Sequence, residues 1–114
     1  MARKSFLHGQ AGEDQATAYL RQHSYKVIDR NVRTPRYEID IIAKRKRVIY
    51  FVEVKYRSSS DQGYGYDYIT DQKLQQMRFA AESWVAEQGY SGNYQLAVVS
   101  IDDTEITLIT DLWL

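Results

Sequence analysis

The stretch YEIDIIAKRKRVIYFVEVKYR, residues 37–57, limits what this chain can fold into more than any other part of it. Two runs rich in Ile, Val, Tyr and Phe flank a basic tetrapeptide, the pattern of an antiparallel β-hairpin. With Lys44 to Arg47 at the tip, a two-residue turn at Arg45-Lys46, or a four-residue loop, pairs Ala43 with Val48, Asp40 with Phe51 and Glu38 with Glu53. Side chains alternate with period two, so Glu38, Asp40, Glu53 and Lys55 share one face, with Ile42, Ile49 and Phe51 nearer the tip. Ile39 and Ile41 cover the other face of the first strand, and Val48, Tyr50, Val52 and Val54 that of the second. In this register Asp40 and Glu53 are diagonal neighbours, about 7–8 Å apart at the backbone.

Three acids at one end of an otherwise apolar hairpin repel one another and raise one another's pKa. Glu38 opposite Glu53 is destabilising in a plain hairpin. Two arrangements relieve the repulsion. The hairpin end can emerge into solvent, with Lys55 and Arg57 neutralising Glu53 and Glu38. Alternatively, the carboxylates hold a hard divalent cation, since Mg²⁺ takes one or two carboxylates together with waters and phosphate oxygens. Lys55 then places a compact positive charge beside the site.

The rest of the chain supplies a framework for the hairpin. Gly9 to His23 reads as a helix, with Glu13 and Asp14 favouring its first turn. A flexible segment of residues 1–8 is expected ahead of it. Tyr25 to Arg33 reads as a strand ending before Pro35. Ser58 to Tyr68 is a turn-rich loop. Asp71 to Gln88 is an amphipathic helix carrying Leu74, Met77, Ala81, Trp84 and Val85, capped by Thr70 or Asp71 and ended by Gly89. Tyr94 to Ile101 and Glu105 to Ile109 close the chain as strands around Asp102-Asp103-Thr104. The order αβββαββ describes one α/β domain, a mixed sheet flanked by helices. A chain of 114 residues has room for one such domain.

Composition narrows the chemistry. The chain has no cysteine and two histidines, His8 and His23, which excludes disulfides, thiolate chemistry and Cys-ligated zinc. No apolar run approaches the roughly 18 residues of a membrane span. The start, MARKSFLHG, lacks the apolar core of a secretory signal, so a cytoplasmic location is expected. The formal net charge is zero, yet residues 1–60 hold 13 Lys/Arg against 6 Asp/Glu and residues 61–114 hold 2 against 9. A neutral protein with that asymmetry can present a basic face to a phosphate backbone.

EID followed by FVEVK, with GE upstream and RNVR between them, resembles the YraN-type family of small predicted endonuclease-like proteins. It is also similar to archaeal-type Holliday-junction resolvases of the PD-(D/E)xK nuclease superfamily. The resemblance covers most of the chain, from Gly9 to the last strands. It implies a restriction-endonuclease-like core that cleaves nucleic acid with Mg²⁺ or Mn²⁺. It makes Asp40 and Glu53 metal ligands, Lys55 the catalytic lysine and Glu13 the helix acid beside the site. Two positions depart from the family pattern: Tyr37 stands where Gly usually precedes EID, and KRKR replaces an Asp/Gly-type turn.

The leading expectation is a Mg²⁺- or Mn²⁺-dependent nuclease acting on DNA, including branched DNA. The Val54 carbonyl is a candidate third ligand, and Glu13 and Glu38 support a second metal or its waters. Glu13 also has a plain explanation, the preference of acids for a helix N-terminus. Nucleic-acid contacts are expected from Lys44, Arg45, Lys46, Arg47, Arg57 and Lys73, and from Tyr64 and Tyr66, whose rings either stack on unpaired bases or pack over the sheet edge. The rival functions are a non-catalytic nucleic-acid-binding module and an adaptor of a DNA-processing complex. Ten tyrosines and the ending DLWL offer a surface for a homodimer, or equally a packed last strand.

Overall fold

The computed structural model describes residues 2–57 and 69–112, with side chains from Gln10 onward. Its elements are helix α1 (Ala2–Gln22), strands β1 (Lys26–Arg33), β2 (Glu38–Arg45) and β3 (Val48–Tyr56), helix α2 (Asp71–Gln88), and strands β4 (Asn93–Ile101) and β5 (Ile106–Ile109). The expected αβββαββ order is therefore the observed one. The five strands form one sheet in sequence order. All neighbours are antiparallel except β3 and β4, which run parallel, with α2 in the chain between them.

Each helix covers one sheet face. Ala16 and Leu20 of α1 bury Ile41, Ala43, Tyr50, Val52, Ala97, Val99 and Ile101. On the other face Met77, Ala80 and Ala81 of α2 pack on Ile42, Ile49, Phe51, Leu96 and Val98. The period-two reading of β3 holds over its length. It fails in β2, where Ile39 joins the α2 side while Ile41 joins the α1 side. Alternation is broken between them, at Asp40. The paired strand is irregular there too: β1 has a register shift between Val27 and Asp29, and Asn31 has a left-handed backbone with φ 56°.

The hairpin register also differs from expectation. Arg45 pairs with Val48 and Ile41 with Val52, so the two-residue turn is Lys46-Arg47. Both turn residues have positive φ, 51° and 66°, as a type I′ turn requires. Moving the turn by one residue changes each pairing by two, which leaves every β3 residue on its expected face and replaces its partner.

Helix α1 begins at Ala2 rather than Gly9, so residues 2–8 continue the helix. They contain neither Pro nor Gly. Gly9 and Gly12 are carried inside the helix, where each costs about 1 kcal/mol relative to Ala. Helix α2 ends as expected. Thr70 caps it by accepting the Lys73 N–H at 3.0 Å, and Gly89 closes it at φ 64°. The loop Ser58 to Tyr68, with Tyr64 and Tyr66, lies outside the described residues, as do Trp113 and Leu114.

Candidate metal and nucleic-acid site

Strands β2 and β3 pair from the turn only as far as Ile41 and Val52. Beyond that point β2 remains paired with β1, and β3 with β4, so the hairpin forks. A fork leaves backbone groups without a ladder partner, and buried ones must be satisfied elsewhere. Asp40 does this for one of them, its Oδ2 accepting the Val54 N–H at 2.8 Å. The acid that looked anomalous in the sequence thus sits where the sheet opens and takes over a sheet hydrogen bond.

Around Asp40 the fork gathers the other acids. Burial pushes the Asp40 carboxyl above its ordinary value, outweighing the Val54 N–H and the charges of Lys73 and Arg33. Burial, and then the Asp40 charge, raise Glu53 in the same way, against Lys73 and Lys55. Lys73 Nζ lies 3.1 Å from Glu53 Oε2. Glu13 is raised by burial and by Asp40, and lowered by Arg30 and Arg33. Its side chain is 13% exposed and comes within 4.0 Å of Arg30. Because α1 starts eleven residues earlier, no acid lies in its first turn. The helix-dipole explanation for Glu13 therefore falls away, and its approach to Asp40 stands in its place.

Lys55 follows Glu53 by two residues on β3, on the same side by strand alternation, and its charge reaches Glu53. Glu38 is the most exposed of the acids, paired with Arg33 at 2.7 Å. The sequence reading missed Arg30 and Arg33. Ideal alternation separates residues three apart in a strand, yet both act on Glu13, with the left-handed Asn31 between them. The one local signal is Asn31 itself, since asparagine enters the left-handed region more readily than most side chains.

The other expected contacts divide between the surface and the interior. Lys44, Lys46 and Arg47 are exposed at the turn. Arg45 instead lays its guanidinium over the Tyr25 ring, 5.5 Å from its centre. Arg57, one residue past the end of β3, is 6% exposed and its backbone N–H donates to the Ile101 carbonyl, so it is buried against the sheet end rather than displayed at the surface. Tyr37, the departure next to EID, is 8% exposed and donates its hydroxyl to Glu87 at 2.6 Å.

The family model described as an uncharacterised protein family, UPF0102, matches residues 12–102. The chain belongs to the UPF0102 family. A UPF0102 protein of Cytophaga hutchinsonii is 36% identical over 98 residues, 86% of this chain and 87% of that one. One from Brachyspira hyodysenteriae is 38% identical over 122 aligned positions, spanning both chains completely. A third, from Syntrophotalea carbinolica, is 44% identical over 80 residues, 70% of this chain and 65% of its own. The UPF0102 match includes the whole fork, from Glu13 through Asp40 and Glu53 to Lys73.

Among the described residues no three His, Cys, Asp or Glu side chains form a complete metal-holding group. What the fork offers is two hard carboxylates, Asp40 and Glu53, both raised by burial and with a lysine ammonium already drawn to one of them. Carboxylates are the hard oxygen donors that Mg²⁺ and Mn²⁺ take together with waters and phosphate oxygens. Among the described residues no helix is long and apolar enough to cross a membrane.

Proposed function

We propose that this UPF0102 protein is a metal-dependent nuclease hydrolysing phosphodiester bonds in DNA, with branched DNA among its substrates. The observation that carries the reading is the meeting of Asp40 and Glu53 at the fork, both raised by burial, with lysines on either side. Asp40 and Glu53 would hold the ion, with the Val54 carbonyl as a third ligand. A bound Mg²⁺ or Mn²⁺ would supply Lewis-acid polarisation of the phosphate and a more acidic water. Lys55 orients that water or holds its ammonium against the developing negative charge. Glu13 and Glu38 would organise a second ion or surrounding waters, and the Val54 N–H holds Asp40 in place.

The test is cleavage of single-stranded, duplex and four-way-junction DNA with Mg²⁺, Mn²⁺ or EDTA. Cleavage that needs the metal and is lost in Asp40→Asn and Lys55→Ala is the expected result. The Lys73–Glu53 ion pair favours one alternative, a non-catalytic nucleic-acid-binding module whose fork is neutralised by its own lysine. DNA binding without cleavage under any metal condition would select that module. Absence of both would leave an adaptor.

A further inference from the structure

A groove runs from the fork along the outer side of α2, and its lining includes both Glu53 and Phe79. Lys73 to Phe79 is six residues, about 9 Å of helix rise. Phe79 is 44% exposed, a large aromatic ring left open to solvent beside a charged site. Opposite it stands Arg36, whose guanidinium lies 5.3 Å from the centre of the Phe79 ring. Arg36 is held there by a tight connection in which Thr34 Oγ1 accepts both the Arg36 and the Tyr37 N–H. Along the same helix the groove wall carries Gln72, next to Lys73, and Gln76, one turn further toward Phe79. Their amides donate and accept hydrogen bonds without charge.

This combination has a specific partner chemistry. An aromatic face next to a guanidinium stacks a nucleobase, and every base has such a face. A base inside a duplex already has its faces occupied by its neighbours. From the open ring, the cation beside it and the continuity with the fork, we infer that Arg36 and Phe79 form a stacking platform for an unpaired base. Single-stranded DNA, or the unpaired arm of a branched substrate, is then the form the groove takes. The inference rests on the nuclease reading for the identity of the strand and adds the strand's conformation to it. Gln72 and Gln76 meet base or sugar edges, and Lys73 meets a backbone phosphate as the strand reaches the fork.

The test is fluorescence anisotropy in EDTA with three probes: a single strand of mixed sequence, the same strand annealed to its complement, and an oligonucleotide of abasic residues. Phe79→Ala is expected to weaken binding of the single strand about tenfold or more, the worth of one stacked base. Binding of the duplex and of the abasic strand is expected to change less than about twofold, because neither offers a free base face. Phe79→Trp restores single-strand binding. Phe79 is exposed, and the melting temperature of each variant checks that the fold is intact. Equal weakening for all three probes, no weakening for any, or no single-strand binding by the unaltered protein overturns the inference. The two proposals fail separately. Phe79-dependent binding of single strands without metal-dependent cleavage sinks only the nuclease. Metal-dependent cleavage with Phe79-independent binding sinks only the platform.

Discussion

Asp40 is held by one interaction and strained by others. Its Oδ2 satisfies the Val54 N–H at the fork, while its charge crowds Glu53 and Glu13. A carboxyl raised in the folded state contributes stability that is fully present below its ordinary value, about pH 4, and lost as pH rises through the folded value. Asparagine keeps an oxygen for the Val54 N–H and removes the charge. In EDTA at pH 7, Asp40→Asn should therefore melt at or above the unaltered protein, with the gap closing toward pH 4. Divalent ions should raise the melting temperature of the unaltered protein through ligand linkage and leave the variant unmoved. An equal Mg²⁺ response in both proteins takes Asp40 out of the proposed metal site. Tyr37 titrates at the other end of the scale, its phenol pushed up to about 12 by burial and by the hydrogen bond to Glu87. Its contribution is complete below about pH 10, the ordinary tyrosine value, and is lost as pH rises through about 12. Tyr37→Phe should cost about 1 kcal/mol near neutrality, a typical hydrogen bond. The melting difference between the two proteins should shrink between pH 10 and 12, and a constant difference would assign Tyr37 only a packing role.

The turn of the hairpin shows what an element can hide. Lys46 and Arg47 both occupy the left-handed region, where side chains with a Cβ cost about 1–2 kcal/mol each. Replacing them together by Asn and Gly, which that turn prefers, should raise stability by about 1 kcal/mol in a urea melt. No gain would mean that the chain pays nothing for its basic turn. Nothing in KRKR says which two residues take positive φ, which is why the register could not be read there. The face pattern of β3 was legible all the same, because alternation is local and survives a change of partner. The two caps of α2 were legible for the same reason, since Thr70 and Gly89 act within one turn of themselves. Alternation groups Glu53 with Lys55 on β3, but it breaks in β2 between Ile39 and Ile41 and so does not by itself place Asp40 beside them. The fork that brings in Glu13 could not be read from alternation, because it depends on where β2 leaves β3 and on the backbone of Asn31. Gly9 and Gly12 hid the depth of Glu13 in its helix. Gly12 sits against the sheet, where a Cβ would meet Val54 Cγ1 at 3.6 Å and Tyr56 Cδ2 at 3.8 Å, ordinary contact distances. Gly12→Ala should thus be accommodated and stabilise by about 0.4–1 kcal/mol. A lower melting temperature would show that α1 needs the closer approach a glycine allows.

Across the molecule, the basic turn and the acidic fork occupy opposite ends of one hairpin. Asp40 and Lys46 are six residues apart along β2, about 20 Å of extended chain. Lys44, Lys46 and Arg47 are exposed at that distance, whereas Arg45 is committed to Tyr25. A strand or duplex contacted by both ends would have its phosphates counted at the turn and its reacting bond held at the fork. The two ends should then separate experimentally. Neutralising Lys44, Lys46 and Arg47 together should make DNA binding less salt-sensitive, lowering the logarithmic slope by about 2–3 if each contacts one phosphate. Base preference should not change, because phosphate contacts carry no sequence information. Cleavage at saturating DNA should keep its rate, since none of the three touches the fork. Arg45→Gln should behave differently, lowering the melting temperature through the lost contact with Tyr25 and shifting the salt slope little. The measurement is a salt titration of DNA binding for the three proteins, with single-turnover cleavage alongside. An unchanged slope in the triple variant would make the turn a solvated loop only. The phosphate footprint would then belong to the cations around the fork, Arg33, Arg36 and Lys73, which the same titration can test one at a time.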